Sequence, residues 1–202
     1  MKIRKEFRVE SAHIVRNCTS HRCSHSIHGH SAVVEVFLES TYLDNAGMVY
    51  DFGLMKNSVK SFVDSMDHCY ILCSKDDPEF KDFIKKSCHR WIELPFNPSA
   101  ECLSMYLLYG IKRIMMNTRT NNGESKIDVT GVRYHETTTG WAEASERDLD
   151  VLWNHDWWNQ IQYSEGVVED WCDELVAIFV DGGQTVNPKI PQQIYLNSLW
   201  RI

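Results

Sequence analysis

The most constraining stretch of this 202-residue chain is His28-Gly29-His30-Ser31-Ala32-Val33-Val34-Glu35-Val36-Phe37-Leu38. Side chains alternate faces along a β-strand, so His28, His30, Ala32, Val34, Val36 and Leu38 share one side of this β-rich run. One face of one strand therefore carries two imidazoles and four apolar residues. From Ile3 to Ile14 the same alternation places Phe7, Val9, Ser11 and His13 together on a second strand. If the two strands pair as an antiparallel hairpin, His13, His28 and His30 converge, because cross-strand neighbours lie about 5 Å apart. Three neutral nitrogens around a small cation leave a fourth position open, which is the arrangement of catalytic rather than structural zinc. The alternatives are ordinary polar residues in a His-rich loop, or a closed structural site completed by Cys18 and Cys23. The open site is the preferred reading, since burying these imidazoles without a metal would leave several groups needing partners.

The segment from Asn17 to Ser26 reads as a loop. Leu54, Met55, Val59, Phe62, Val63 and Met66 recur at helical spacing, which predicts a helix from about Gly53 to Met66, stopping at Asp67-His68. A short helix near Pro78 to Lys86 and a strand near His89 to Leu94 follow. Asn97-Pro98 reads as a cap and first helical residue, with Ala100, Leu103, Leu107, Ile111 and Ile114 continuing that helix. The strand from Ile127 to Glu136 is expected to carry Ile127 and Val129 on one face and Val132 and Tyr134 on the other. Beyond Trp141 one helix is expected, from Ser164 to about Val180. This order fits an α+β sheet with two helices on one face.

Charge divides the chain. Residues 1–140 carry 18 basic and 17 acidic side chains, whereas residues 141–202 carry three basic against eleven acidic and hold six of the seven tryptophans. Two regions are therefore read: residues 1–140 as a catalytic unit and residues 141–202 as an acidic, Trp-rich extension packed on it. Its acids are expected to lie away from any site for an anionic ligand, which they would repel. A net charge of −7 disfavours general nucleic-acid binding. No apolar run reaches the roughly 18 residues of a spanning helix. Seven cysteines, an odd number, with no apolar signal core at the start, predict reduced thiols in a cytoplasmic protein.

Other residues are ambiguous alone. Cys23, five residues before His28, is either a thiol acidified by a nearby cation or an inert loop thiol. Asp67 and His68 end a helix, and adjacent side chains normally diverge. Glu136 is either a solvated acid or a carboxylate that accepts paired hydrogen bonds from a guanidine-like ligand edge.

Taken in order, Phe7…Ser11-Ala12-His13, Cys23…His28-Gly29-His30, Gly47…Asp51-Phe52, Met66-Asp67-His68, Asn97-Pro98-Ser99-Ala100-Glu101 and Glu136-Thr137 resemble the 6-pyruvoyltetrahydropterin and 6-carboxytetrahydropterin synthase family. The resemblance spans residues 7 to about 137. It implies a tunnelling fold, in which an antiparallel four-stranded sheet backed by two helices assembles into a trimeric barrel, two barrels stacking into a homohexamer with active sites between subunits. It implies Zn2+ on His13, His28 and His30, Cys23 as catalytic thiol with Cys18 as the other candidate, and Asp67 and His68 as a proton relay from a neighbouring subunit. Glu136 would anchor the pterin, with Glu101 in support. The implied substrate is 7,8-dihydroneopterin triphosphate, and the implied product 6-carboxy-5,6,7,8-tetrahydropterin, on the route to queuosine. Other readings are triphosphate elimination to the pyruvoyl product, a zinc- and pterin-binding module without turnover, and a structural zinc protein. The resemblance does not cover the chain beyond Trp141.

Overall fold

The computed structural model describes residues 1–150 and 156–190. Its elements in chain order are β1 (Lys2–His13), α1 (His21–His25), β2 (His28–Glu39), a 3-10 turn (Leu54–Lys56), α2 (Ser58–Asp64), β3 (Cys69–Cys73), α3 (Pro78–Ser87), β4 (Trp91–Leu94) and α4 (Ala100–Met116). There follow β5 (Thr118–Arg119), β6 (Asp128–His135), β7 (Trp141–Ala144), α5 (Glu146–Leu149), a 3-10 turn (Trp157–Gln160), β8 (Gln162–Tyr163), α6 (Glu165–Val168), α7 (Asp173–Phe179) and β9 (Thr185–Val186).

The alternation in β1 and β2 gives the expected antiparallel hairpin, in a register that sets His13 opposite His28 and Ser11 opposite His30. Around it the sheet is larger than the expected four antiparallel strands. Seven strands run β7-β6-β2-β1-β3-β4-β8, and β3 lies parallel to both β1 and β4, so the sheet is mixed. The antiparallel half, β7-β6-β2-β1, is the four-stranded unit; β3, β4 and β8 extend it at the His13 end of β1. β3 (Cys-Tyr-Ile-Leu-Cys) is buried at every position and shows no alternation from which a strand could be read.

Phe7, Val9, Val34, Val36 and Leu38 form one core with Phe62 of α2 and Leu103, Tyr106, Leu107 and Ile111 of α4, so two helices do back one face. α3 packs on the opposite face, where Ile84 joins Ile14, Tyr70 and Leu72. In β6 a register shift sets Val129 against Leu38 and Gly131 against Phe37. The extra residue, Thr130, turns Val129 to the same side as Val132 and Tyr134, and all three are buried, contrary to the strict alternation expected.

Three local expectations are corrected by hydrogen bonding. The loop after β1 contains the one-turn helix α1. Ser99, not Asn97, caps α4 by accepting from the Cys102 N–H, while the Asn97 amide accepts from Arg16 N–H (3.0 Å) and donates to Arg16 carbonyl (2.7 Å). The single helix expected from Ser164 to Val180 is two, α6 and α7, separated around Trp171. Trp157, Trp158, Val167, Trp171, Leu175 and Ile178 are buried in the main core. Trp153 and Trp200 lie outside the described residues. Among the described residues no helix is long and apolar enough to cross a membrane.

Candidate active site and metal centre

The hairpin register makes the histidine group. One nitrogen from each of His13, His28 and His30 lies within 4.8 Å of the others, and ring centroids are 4.7 to 5.2 Å apart. His13 is buried; burial and the neighbouring imidazoles of His28 and His30 bring its pKa down to about 4, so the ring is neutral and keeps a lone pair at physiological pH. Its other nitrogen donates to the Pro98 carbonyl, which fixes the ring. His28 Nδ1 lies 3.0 Å from the Ser26 carbonyl, a partner that directs Nε2 toward the group. The Nε2 atoms of His13 and His30 are buried without a hydrogen-bond partner. Buried polar nitrogens are rarely left so, and a cation with imidazole preference satisfies them. The donor set therefore fits a metal ion.

Glu136, just past the end of β6, faces the same nitrogens, with Oε1 3.5 Å from His13 Nε2 and 3.8 Å from His30 Nε2. It is thus no free surface acid, and a ligand at an open metal position lies within its reach.

Asp67 and His68 form a second group. They do meet, contrary to the usual divergence of neighbours: His68 Nδ1 is 3.0 Å from Asp67 Oδ2, made possible by the left-handed backbone of His68 at φ 50°. Both are pinned to β1, where Glu10 N–H donates to Asp67 Oδ1 (2.8 Å) and Glu10 carbonyl accepts from His68 N–H (2.6 Å). Burial pushes the Asp67 carboxyl up, but the Glu10 N–H, His68 and Arg90 outweigh it and leave it below its ordinary value, hence ionised. The His68 side chain is 78% exposed.

Among the described residues no hydrogen bond or ion pair links the two groups. His68 lines a cavity of about 800 Å³ together with Glu10, Ser11, Gly29, His30 and Ser31, so the turn borders the His30 end of the hairpin, while no described contact joins Asp67 or His68 to the three imidazoles. Cys23 lies in α1, which is tied to the chain just after β1 by Val15 N–H donating to the Cys23 carbonyl (2.9 Å); among the described residues its thiol has no hydrogen-bond partner. The Cys18 thiol is taken up by the Ser20 carbonyl at 3.3 Å. Glu101 stands exposed in the first turn of α4, and no described contact joins its carboxylate to the histidines. All seven cysteines are free thiols. Sequence reasoning missed Pro98 and Ser26, which orient His13 and His28, and Arg90. The Asn97-Pro98 motif, which reads as a helix start and as part of the family resemblance, is the available signal for Pro98.

Residues 2–147 match the family described as 6-pyruvoyl tetrahydropterin synthase. A curated relative from Helicobacter pylori, strain J99, named 6-carboxy-5,6,7,8-tetrahydropterin synthase, is 39% identical over 180 residues, covering 86% of this chain and 88% of the relative. Since 86% of 202 residues is about 174, that match includes residues 29–174 wherever it begins, and so continues well past residue 147. The Aquifex aeolicus protein of the same name is 32% identical over 160 residues, covering 71% of this chain and 97% of the relative. The crystal structure of uncharacterized protein WS1659 from Wolinella succinogenes superposes with a TM-score of 0.57 at 25% identity, covering 72% of this chain and 98% of that one.

Proposed function

Because the chain belongs to the 6-pyruvoyl tetrahydropterin synthase family, we propose from its site geometry how it works as an enzyme of that family, a carbon–oxygen lyase of the 6-carboxytetrahydropterin type. The substrate is 7,8-dihydroneopterin triphosphate and the products are 6-carboxy-5,6,7,8-tetrahydropterin, triphosphate and acetaldehyde, a step toward 7-deazaguanine compounds such as queuosine. The observation that carries this reading is the convergence of His13, His28, His30 and Glu136 with two imidazole nitrogens left unpaired.

His13, His28 and His30 would hold Zn2+, which when bound would supply Lewis-acid polarisation of substrate oxygens next to the C–H bond to be broken. Glu136 accepts the amino and ring N–H donors of the pterin as a paired, charge-assisted contact, with Glu101 in support. Cys23 takes or returns the proton at the substrate side chain. Asp67 accepts from His68 Nδ1–H, which leaves Nε2 as the proton acceptor of the relay. With no described contact between Asp67 or His68 and the histidine group of their own chain, we read the pair as serving the site of a neighbouring subunit.

That arrangement needs an oligomer, and the sheet has the edges for one. Among the described residues only Ser11 to His13 of β1 pair with β3, leaving the Lys2–Val9 edge open, and β7 is the terminal strand at the other side. Joining these edges between subunits closes a trimeric barrel, and two barrels stack into a homohexamer. We read residues 1–140 as the catalytic unit, residues 141–202 as an extension packed on it, and the cytoplasm as the compartment.

The test is product analysis by mass spectrometry on purified, metal-assayed protein incubated with dihydroneopterin triphosphate, beside Cys23→Ala. Carboxypterin and acetaldehyde from the wild type, with turnover lost and zinc kept in the variant, are expected. A pyruvoyl product would select triphosphate elimination instead; a metal-loaded protein that binds pterin without product would mark a binding module.

A further inference from the structure

The Asp67–His68 turn is held from β1 on one side; on the other stands Arg90, just before β4. Its guanidinium uses all five N–H groups. Nε donates to the Asp67 carbonyl (2.9 Å), and Nη2 donates to the carbonyls of Asp64 (2.9 Å) and Ser65 (3.4 Å) at the end of α2, where a helix leaves its last carbonyls unpaired. Nη1 donates to the Gly166 carbonyl (2.6 Å) and to the Asp170 carboxylate. Three of the five bonds thus go to the chain that leads into His68, and two go to α6 and the turn after it. The side chain is only 15% exposed, although it is charged.

The same turn is gripped directly. Trp171 Nε1–H donates to Ser65 Oγ (2.7 Å) in a buried contact, and Cys172 N–H donates to Ser61 Oγ (3.0 Å) of α2. Ser164 is fastened to the residue after Arg90, its N–H donating to the Trp91 carbonyl and its Oγ accepting from the Trp91 N–H, both at 3.0 Å. At Gly166 a Cβ would fall 2.4 Å from His89 Nε2 and 2.7 Å from the His89 carbonyl, so a side chain there would drive the Gly166 carbonyl off Arg90.

We propose that residues 164–172, acting through Arg90 and Trp171, position the Asp67–His68 pair for proton transfer, which makes the chain beyond residue 147 a determinant of turnover as well as part of the core. This inference rests on the reading of Asp67 and His68 as the relay. Arg90 touches neither substrate nor metal and acts through the Asp67 carbonyl, so it is a positioning residue. His68 occupies a left-handed conformation that is strained for a non-glycine residue and persists only where its surroundings over-determine it. The Glu10 and Arg90 contacts supply that over-determination from opposite sides. The cavity of about 660 Å³ shared by Asp67, His68 and Arg90 is lined also by Arg8, Lys60, Asp64 and Asp170.

Full-length, zinc-loaded Arg90→Lys keeps the charge but loses the fork, and Trp171→Phe keeps the packing but loses the indole N–H. Arg90→Lys is expected to lower kcat by about 10- to 100-fold, since misplacement of a reacting group by about 1 Å costs that much. KM should stay within about threefold and zinc content unchanged, with faster amide exchange at His68. Trp171→Phe should change the same quantities in the same direction by less, and Arg147→Ala, an exposed change in α5, should leave kcat alone. If both test variants keep wild-type kcat while His68→Gln abolishes turnover, the positioning role is wrong and the relay stands. If His68→Gln keeps wild-type kcat, the relay reading falls and this inference with it. A Tm drop in which kcat and bound zinc fall in the same proportion would show a merely structural role and overturn the proposal.

Discussion

Gly110, in the middle of α4, is where packing between the helices and the later chain is tightest. A Cβ built there would lie 2.3 Å from both Cε1 and Cζ of Phe62 and 2.9 Å from Cη2 of Trp158. Replacing Gly110 with Ala sets two effects against each other. Helix propensity favours Ala by about 1 kcal/mol. Against it, carbon atoms pack best at about 3.5–4.0 Å, so the Phe62 ring must retreat by more than about 1 Å. It has nowhere to go: its centroid is 5.1 Å from Tyr106, 5.4 Å from Phe179 and 6.0 Å from Trp158. Overpacking a core costs about 1–3 kcal/mol, and two buried rings in direct collision place this case at the upper end. The net is a loss of about 2 kcal/mol, which for a chain of this size lowers Tm by roughly 4–8 °C. Thermal unfolding followed by circular dichroism at fixed protein concentration reads it, concentration being held because assembly shifts Tm. In a Phe62→Leu background the same substitution should cost much less, because the colliding ring atoms are gone. A Tm raised by the Gly110→Ala change alone would mean propensity wins, and would refute the close approach of Phe62 and Trp158 to the α4 backbone.

Glu35 offers a pH test. On the sheet face away from α2 and α4 its side chain is 4% exposed and is met by Arg4, Arg133 (3.1 Å) and His135 (3.0 Å). Burial pushes the carboxyl up, but His135, Arg4 and Arg133 outweigh it and hold it below its ordinary 4.5. A carboxyl depressed in the folded state stabilises above its unfolded pKa, and that stability is lost as pH falls through the folded value. Glu35→Gln should therefore unfold about 1–2 kcal/mol more easily than wild type in urea at pH 7, a difference that shrinks below about pH 4.5; an unchanged difference at pH 3 would contradict the linkage. Chelation offers another. Twelve paired residues on each strand hold the hairpin by backbone hydrogen bonds, so removing metal should abolish turnover while leaving the far-ultraviolet spectrum intact, and zinc should restore activity. Unfolding on chelation would instead mark a structural metal site.

The site was legible where physics is periodic. An alternating strand states which residues share a face, so the convergence of His13, His28 and His30 follows from β1 and β2 alone. β3 was illegible for the opposite reason: a strand buried on both faces reads as an uninterrupted apolar run, and its parallel partners are distant in sequence. Thr130 shows the limit of alternation, since one bulged residue reverses every face assignment beyond it. Asn97 shows the limit of cap rules, because its amide finds the Arg16 backbone, which no local pattern specifies. The Asp67–His68 contact needed a left-handed histidine, held there by bonds to Glu10, 57 residues away from Asp67.

The uneven charge of the two regions takes a different meaning once its partners are known. Glu143 pairs with Arg133 (2.6 Å), Glu146 with Lys112, Glu169 with His89 (3.7 Å) and Asp170 with Arg90. Four acids of the later chain therefore sit on cations of residues 1–140, and one of them, Asp170, lines a cavity with Asp67 and His68, the pair proposed as the relay. Such pairs do not hold the segment in place. Glu146 and Asp170 are exposed, and exposed pairs contribute about 0–1 kcal/mol each, whereas burying Trp157, Trp158, Trp171, Leu175 and Ile178 contributes about 1.5–3 kcal/mol apiece. Docking is thus decided by apolar burial and should survive high salt. The ion pairs neutralise cations of residues 1–140 and so change the field that a polyanionic substrate meets. Raising ionic strength should accordingly change substrate KM far more than Tm.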